Sequence, residues 1–130
     1  MESWKKTPQV LIADDSSILR EVFTKELAQM GISVTTAVDG QEALETAKST
    51  PFDMIITDID MPNMNGFDLY EAVRKIDNKV KACFLTAFGE GYTEEFGRRF
   101  PTSSSLFYDV SFIRKPIRMD DLVKKVNEMI

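Results

Sequence analysis

Residues 52–66 read Phe52-Asp53-Met54-Ile55-Ile56-Thr57-Asp58-Ile59-Asp60-Met61-Pro62-Asn63-Met64-Asn65-Gly66. The run Phe52–Thr57 is short and apolar, the pattern of a central strand covered on both faces. It gives way at Asp58 to a polar loop that Pro62 and Gly66 punctuate as a turn. A carboxylate placed there has a firm backbone mount and partial exclusion of water. A second apolar run, Val10-Leu11-Ile12-Ala13, ends in the same way, on Asp14-Asp15. In an open α/β sheet the carboxyl ends of the strands form the binding crevice. Two such runs bring three or four carboxylates to one sheet edge, which suits a hard divalent cation and chemistry on phosphate.

The remaining elements follow from periodicity. Strands are expected over 9–13, 32–37, 52–57, 80–86 and 109–113. Ser16 or Ser17 caps a first helix with Ile18, Leu19, Val22, Phe23, Leu27 and Met30 near a 3.6 period, ended by Gly31. Asp39 caps a helix over 40–49, stopped by Pro51. A third helix spans 67–76, and the interval 89–100 has room for a fourth. A closing helix over 118–130 places Leu122, Val123, Val126 and Ile130 on one face. Strands alternating with helices imply an α/β, doubly wound, five-stranded parallel sheet with helices on both faces. The flavodoxin-like order 2-1-3-4-5 makes the first and third strands neighbours, so Asp14, Asp15 and Asp58 share one edge. The domain is expected over 9–130, behind a polar arm at 1–8 and with an extended segment around 89–108.

Composition narrows the chemistry. The chain has 130 residues, with 43% hydrophobic and 28% charged content, which fits one soluble domain. It lacks histidine, so Ser–His, Cys–His and zinc–histidine sites are excluded within it. The single cysteine, Cys83, excludes a disulfide framework and reads as a small core hydrophobe. No run is apolar enough for membrane insertion, and the polar N-terminus carries no signal core, so a cytoplasmic location is expected. The net charge of -5 argues against direct nucleic-acid binding.

With a cation beside it, Asp58 can attack phosphorus as a nucleophile. Asp14 and Asp15 repel one another unless a cation or hydrogen bonds offset them. Mg²⁺, with Mn²⁺ as a substitute, takes octahedral oxygen ligands and keeps some waters. Either aspartate could instead serve only as a helix cap. Thr86 ends the fourth strand and Lys115 follows the fifth, so both reach the same edge. A threonine hydroxyl can donate to a phosphoryl oxygen, and a lysine can pair first with the carboxylate and then with the phosphoryl group. A cis bond at Lys115-Pro116 would help aim the lysine into the site.

Taken together, Asp14-Asp15, the run Asp58 to Gly66, Thr86-Ala87 and Lys115-Pro116 resemble the receiver domain of two-component response regulators, over essentially 9–130. The resemblance implies that Asp58 accepts a phosphoryl group from the phosphohistidine of a sensor histidine kinase or a phosphotransfer protein. Asp14 and Asp15 would organise Mg²⁺ with Asp58 and the backbone carbonyl of Asp60. Thr86 and Lys115 would contact the phosphoryl group, and Phe112 stands at the switch aromatic. Modification would then shift the surface of the fourth helix, fifth strand and fifth helix for a downstream protein target. Such a domain catalyses its own phosphorylation and dephosphorylation and needs no external turnover substrate. Asp60 and Phe88 occupy the two positions that tune the lifetime of the phosphoryl group, and bulky Phe88 is expected to lengthen it.

The chain departs from the pattern between Thr86 and Lys115, an interval long for a receiver. Phe100, Phe107 and Tyr108 there could anchor a partner or a homodimer. No DNA-reading helix pair accompanies the domain, which suits a stand-alone, chemotaxis-type messenger or a domain cut from a larger regulator. Two other functions fit parts of the pattern. One is a receiver-like binding module that signals without phosphorylation. The other is a phosphatase of the haloacid dehalogenase type, whose Asp-x-Asp element Asp58-Ile59-Asp60 echoes.

Overall fold

The computed structural model describes residues 7–87, 94, 96, 98 and 109–130. Five strands, β1 (Gln9–Ala13), β2 (Ser33–Ala37), β3 (Met54–Asp58), β4 (Lys81–Thr86) and β5 (Val110–Arg114), form one parallel sheet in the order β2-β1-β3-β4-β5. Between them run α1 (Ser17–Gln29), α2 (Gly40–Ser49) and α3 (Gly66–Ile76), and a closing helix spans Met119–Met129. The expected strand order and central third strand are therefore present. All five residues of β3 are buried. None of the described helices is long and apolar enough to cross a membrane.

Side chains alternate across each strand, which divides the core into two layers. Leu11, Ala13, Ile55, Ala82 and Phe84 pack with α2 and α3. Val10, Ile12, Met54, Ile56, Cys83, Leu85 and Ile113 pack with α1 and the closing helix. Cys83 is a core residue as expected, and burial pushes its thiol up to about 12. Phe96, helical and buried, joins Phe67, Tyr70, Phe84 and Phe112 in an aromatic cluster with ring centroids 5.0–6.1 Å apart.

The caps show why the helices begin where they do. Ser16 accepts from the Leu19 amide, Asp39 from Glu42 and Asn65 from Asp68, each satisfying a free helix donor. Gly31, at φ 80°, turns the chain out of α1 into β2.

Several boundaries differ from those expected from the sequence. Asp58 completes β3 rather than opening the loop, pairing with Leu85 of β4. The fifth strand lies at Val110–Arg114, because the ladder carries on until Arg114 faces Thr86. On α1, Phe23 and Leu27 are buried, whereas Ile18 and Val22 lie on its solvent side. The closing helix turns Met129 inward in place of Ile130, since Leu122, Val126 and Met129 hold the i, i+4, i+7 spacing. Phe88, Phe100, Phe107, Tyr108 and most of the 89–108 segment lie outside the described residues, as does the arm up to residue 6.

Candidate functional site

The carboxyl ends of β1, β3, β4 and β5 meet at one sheet edge. Asp14 follows β1 directly, and its amide donates to the Ala37 carbonyl at 3.2 Å, extending the ladder to β2. Its Oδ1 accepts from the Ser16 amide at 2.8 Å, and its carbonyl accepts from Arg20 Nη1 at 2.7 Å. Asp14 is thus fully buried and held on three sides, and its other carboxylate oxygen, Oδ2, has no hydrogen-bond partner among the described residues. Asp15, next in the chain, is exposed. Ser16, and not either aspartate, is the helix cap.

Asp58 is buried at the end of β3. Carboxylate oxygens of Asp14, Asp15 and Asp58 all lie within 4.8 Å of one another. Lys115 Nζ is 2.6 Å from Asp58 Oδ1 and 4.0 Å from Asp14 Oδ2. Lys115 is fixed at its backbone, where its amide donates to the Thr86 carbonyl at 2.8 Å. The Lys115-Pro116 bond is cis. Thr86 is buried at the end of β4 beside them.

Electrostatics at this edge are unbalanced. Burial, then the neighbouring Asp14 carboxylate, raises Asp58 to about 7 despite the opposing pull of Lys115. Burial alone would lower Lys115, but its contact with Asp58 and the charges of Asp58, Asp14 and Asp15 raise it overall. Among the described residues, two buried carboxylates share one ammonium and one buried oxygen of Asp14 is unsatisfied. An unpartnered buried carboxylate oxygen is costly. A divalent cation with oxygen ligands meets both demands, so the residues present fit one. The donor set, carboxylates without histidine or thiolate, selects a hard ion.

Of the predicted site residues, Asp14, Asp15, Asp58, Thr86 and Lys115 are brought together at this edge. Asp60 is exposed two residues beyond Asp58. Phe112 lies one layer away, half-buried against Phe84 at 5.4 Å and Phe96 at 5.7 Å. Phe88 falls outside the described residues. Sequence reasoning missed the close packing around the loop. A Cβ on Gly66 would come within 2.3 Å of the Asp58 carbonyl oxygen, and one on Gly40 within 2.3 Å of the Met64 carbonyl oxygen. Gly66 thus serves close approach as well as the turn. It missed the anchoring of Asp14 by Arg20 too, for which an arginine six residues on gives no recognisable signal.

The chain is similar to known proteins in sequence and in fold. Residues 10–127 match the family described as response regulator receiver domain. The response regulator receiver protein CpdR of Brucella abortus is 30% identical over 122 residues, covering 94% of this chain and 96% of CpdR. The transcriptional regulatory protein PrrA of Mycobacterium leprae is 39% identical over 87 residues, 67% of this chain; the match spans only 37% of PrrA. Among solved structures, the chemotaxis protein CheY4 of Vibrio cholerae superposes with a TM-score of 0.82 at 29% identity, covering 96% of this chain and 100% of that one. The response regulator TrrA of Thermotoga maritima, solved in complex with Mg(2+)-BeF, gives 0.78 at 27% identity, covering 95% and 100%. The chain belongs to the response regulator receiver domains of two-component signalling.

Proposed function

We propose that this receiver is switched by phosphorylation of Asp58, with Mg²⁺ as the working cation. The observation that carries the reading is the shared edge itself: Asp14, Asp15 and Asp58 within 4.8 Å, with Lys115 against Asp58. The Mg(2+)-BeF complex of TrrA supports the choice of ion and of a phosphoryl-like ligand.

Asp58 Oδ attacks the phosphorus of a phosphohistidine on a sensor histidine kinase or phosphotransfer protein. An O–P bond forms, the N–P bond breaks, and the imidazole keeps the electron pair. Mg²⁺, held by the carboxylates of Asp14, Asp15 and Asp58 and the backbone carbonyl of Asp60, would neutralise charge on the phosphoryl oxygens. Lys115 favours the ionised form of Asp58 before transfer, against burial and Asp14, and pairs with the phosphoryl group afterwards. The Thr86 hydroxyl donates to a phosphoryl oxygen. Its movement makes room for Phe112, now half-buried against Phe84, to turn inward. The added charge of roughly -1.5 to -2 biases this two-state shift. The surface of β5, the closing helix and the preceding segment then favours a downstream protein target in the cytoplasm. Asp60 and Phe88 tune the lifetime, and Phe88→Ala is expected to shorten it.

Beryllofluoride binding in Mg²⁺ tests the reading by amide resonances. Shifts at Thr86 and Lys115 that need Asp58 support it. Binding that persists in Asp58→Asn, or no binding in the wild type, favours a receiver that signals without phosphorylation.

A further inference from the structure

We propose that Asp39 and Asn63 form a latch between the start of α2 and the 59–65 loop, and so act as positioning residues for the cation. This rests on the functional reading above, in which the Asp60 carbonyl is a ligand. The loop is fastened at its base, where the Gly66 amide donates to the Ile59 carbonyl at 2.8 Å and the Ile59 amide to the Leu85 carbonyl at 3.1 Å. Its apex depends on Asn63. That residue sits at φ 72°, in a tight turn closed by the Met64 amide donating to the Pro62 carbonyl at 2.8 Å. Turns of this kind are rare and strained, and asparagine tolerates them better than most residues.

From that position Asn63 Nδ2 donates to Asp39 Oδ2 at 3.0 Å, across 24 positions of sequence. Asp39 Oδ1 meanwhile caps α2 by accepting from the Glu42 amide at 2.8 Å. The two oxygens of Asp39 therefore divide the work, one starting the helix and the other holding the loop. The Glu42 amide first, then Asn63, keeps Asp39 below the usual carboxylate range, so it is a charged acceptor. Alongside, Gly40 lets the Met64 carbonyl approach to where a Cβ would stand at 2.3 Å. Side-chain bond and backbone contact grip the same turn. Asp60 lies between this clamp and Asp58. The latch fixes the path of the chain that carries its carbonyl, the role an outer partner plays toward a metal ligand.

The test is Mg²⁺ affinity by calorimetry, with amide exchange of the metal-free protein, in the full chain. Asn63→Gly keeps the positive φ and removes only the amide. Asp39→Ser keeps the cap but cannot reach the loop. Each is expected to weaken Mg²⁺ binding about tenfold, the lower end of the cost of losing an outer partner. Amides of residues 60–64 should exchange faster. The two together should be no worse than the weaker-binding single variant, because they break one bond. The reciprocal double variant, Asp39→Asn with Asn63→Asp, restores a donor and an acceptor and should recover much of the affinity. Single variants that bind Mg²⁺ as the wild type does, while exchange rises, overturn the latch and leave a structural contact. A wild type that binds no Mg²⁺ removes the cation site itself, and the latch falls with it.

Discussion

Lys115 Nζ lies 2.6 Å from Asp58 Oδ1, yet the carboxylate is still raised to about 7. One ammonium does not offset both the burial of Asp58 and the charge of Asp14. The edge is thus electrostatically short of positive charge, a shortage that a bound cation would relieve. Removing Lys115 makes it worse. In Lys115→Met the Asp58 carboxyl should titrate above the wild-type value, read by carboxyl carbon shifts in EDTA. An unchanged titration would mean that Lys115 does not set the charge of Asp58.

The same shift fixes how stability depends on pH. Asp58 titrates near its ordinary value when unfolded and near about 7 when folded. Between those values the folded state binds more protons, so stability is full below the unfolded value and is lost as pH rises toward 7. The loss is on the order of 2–4 kcal/mol in metal-free protein. Urea denaturation across pH 4–8 in EDTA should show this decline for wild type and a flatter profile for Asp58→Asn. Millimolar Mg²⁺ should restore stability to the wild type at neutral pH.

Backbone approach at the loop is equally testable. Gly66→Ala drives a Cβ onto the Asp58 carbonyl, an atom that cannot move without moving the site. It should cost about 1–3 kcal/mol by denaturant melts and weaken Mg²⁺ binding as well. Loss of stability with intact Mg²⁺ affinity would show that the loop adjusts without disturbing Asp58.

The aromatic cluster separates core from switch. Phe84 is fully buried among Phe67, Tyr70, Phe96 and Phe112. Phe84→Ala should cost about 3–5 kcal/mol. Phe112 is half-buried at the cluster's rim, and Phe112→Ala should cost about 1–2 kcal/mol. It should leave phosphorylation intact while weakening the response of β5 and the closing helix. Equal costs for the two would make Phe112 plain core.

Much of this site was legible because it sits where strands end. The apolar runs stop at Ala13 and Thr57, and the topology rules bring the aspartates after them together. Thr86 and Lys115 followed from the same logic. What was not legible depends on conformation. The bond from Asn63 to Asp39 needs a positive φ at Asn63, which an asparagine permits but does not announce. Gly66 read as a turn residue, while its contact with the Asp58 carbonyl arises only once loop and strand are folded. On α1, Ile18 and Val22 fit a helical period, but the face turned to the sheet and the closing helix buries only Phe23 and Leu27, with Leu19 and Met30 partly covered beside them. Periodicity gives a face and not its width.

The central claim is that Asp58 carries the phosphoryl group, and intact mass tests it most directly. Wild type and Asp58→Asn are incubated with acetyl phosphate, in Mg²⁺ and in EDTA, and weighed after quenching. The account predicts the mass gain of one phosphoryl group in the wild type with Mg²⁺ only, and none in Asp58→Asn. A gain that survives in Asp58→Asn, or its absence from folded wild type that also fails to bind beryllofluoride, would contradict it.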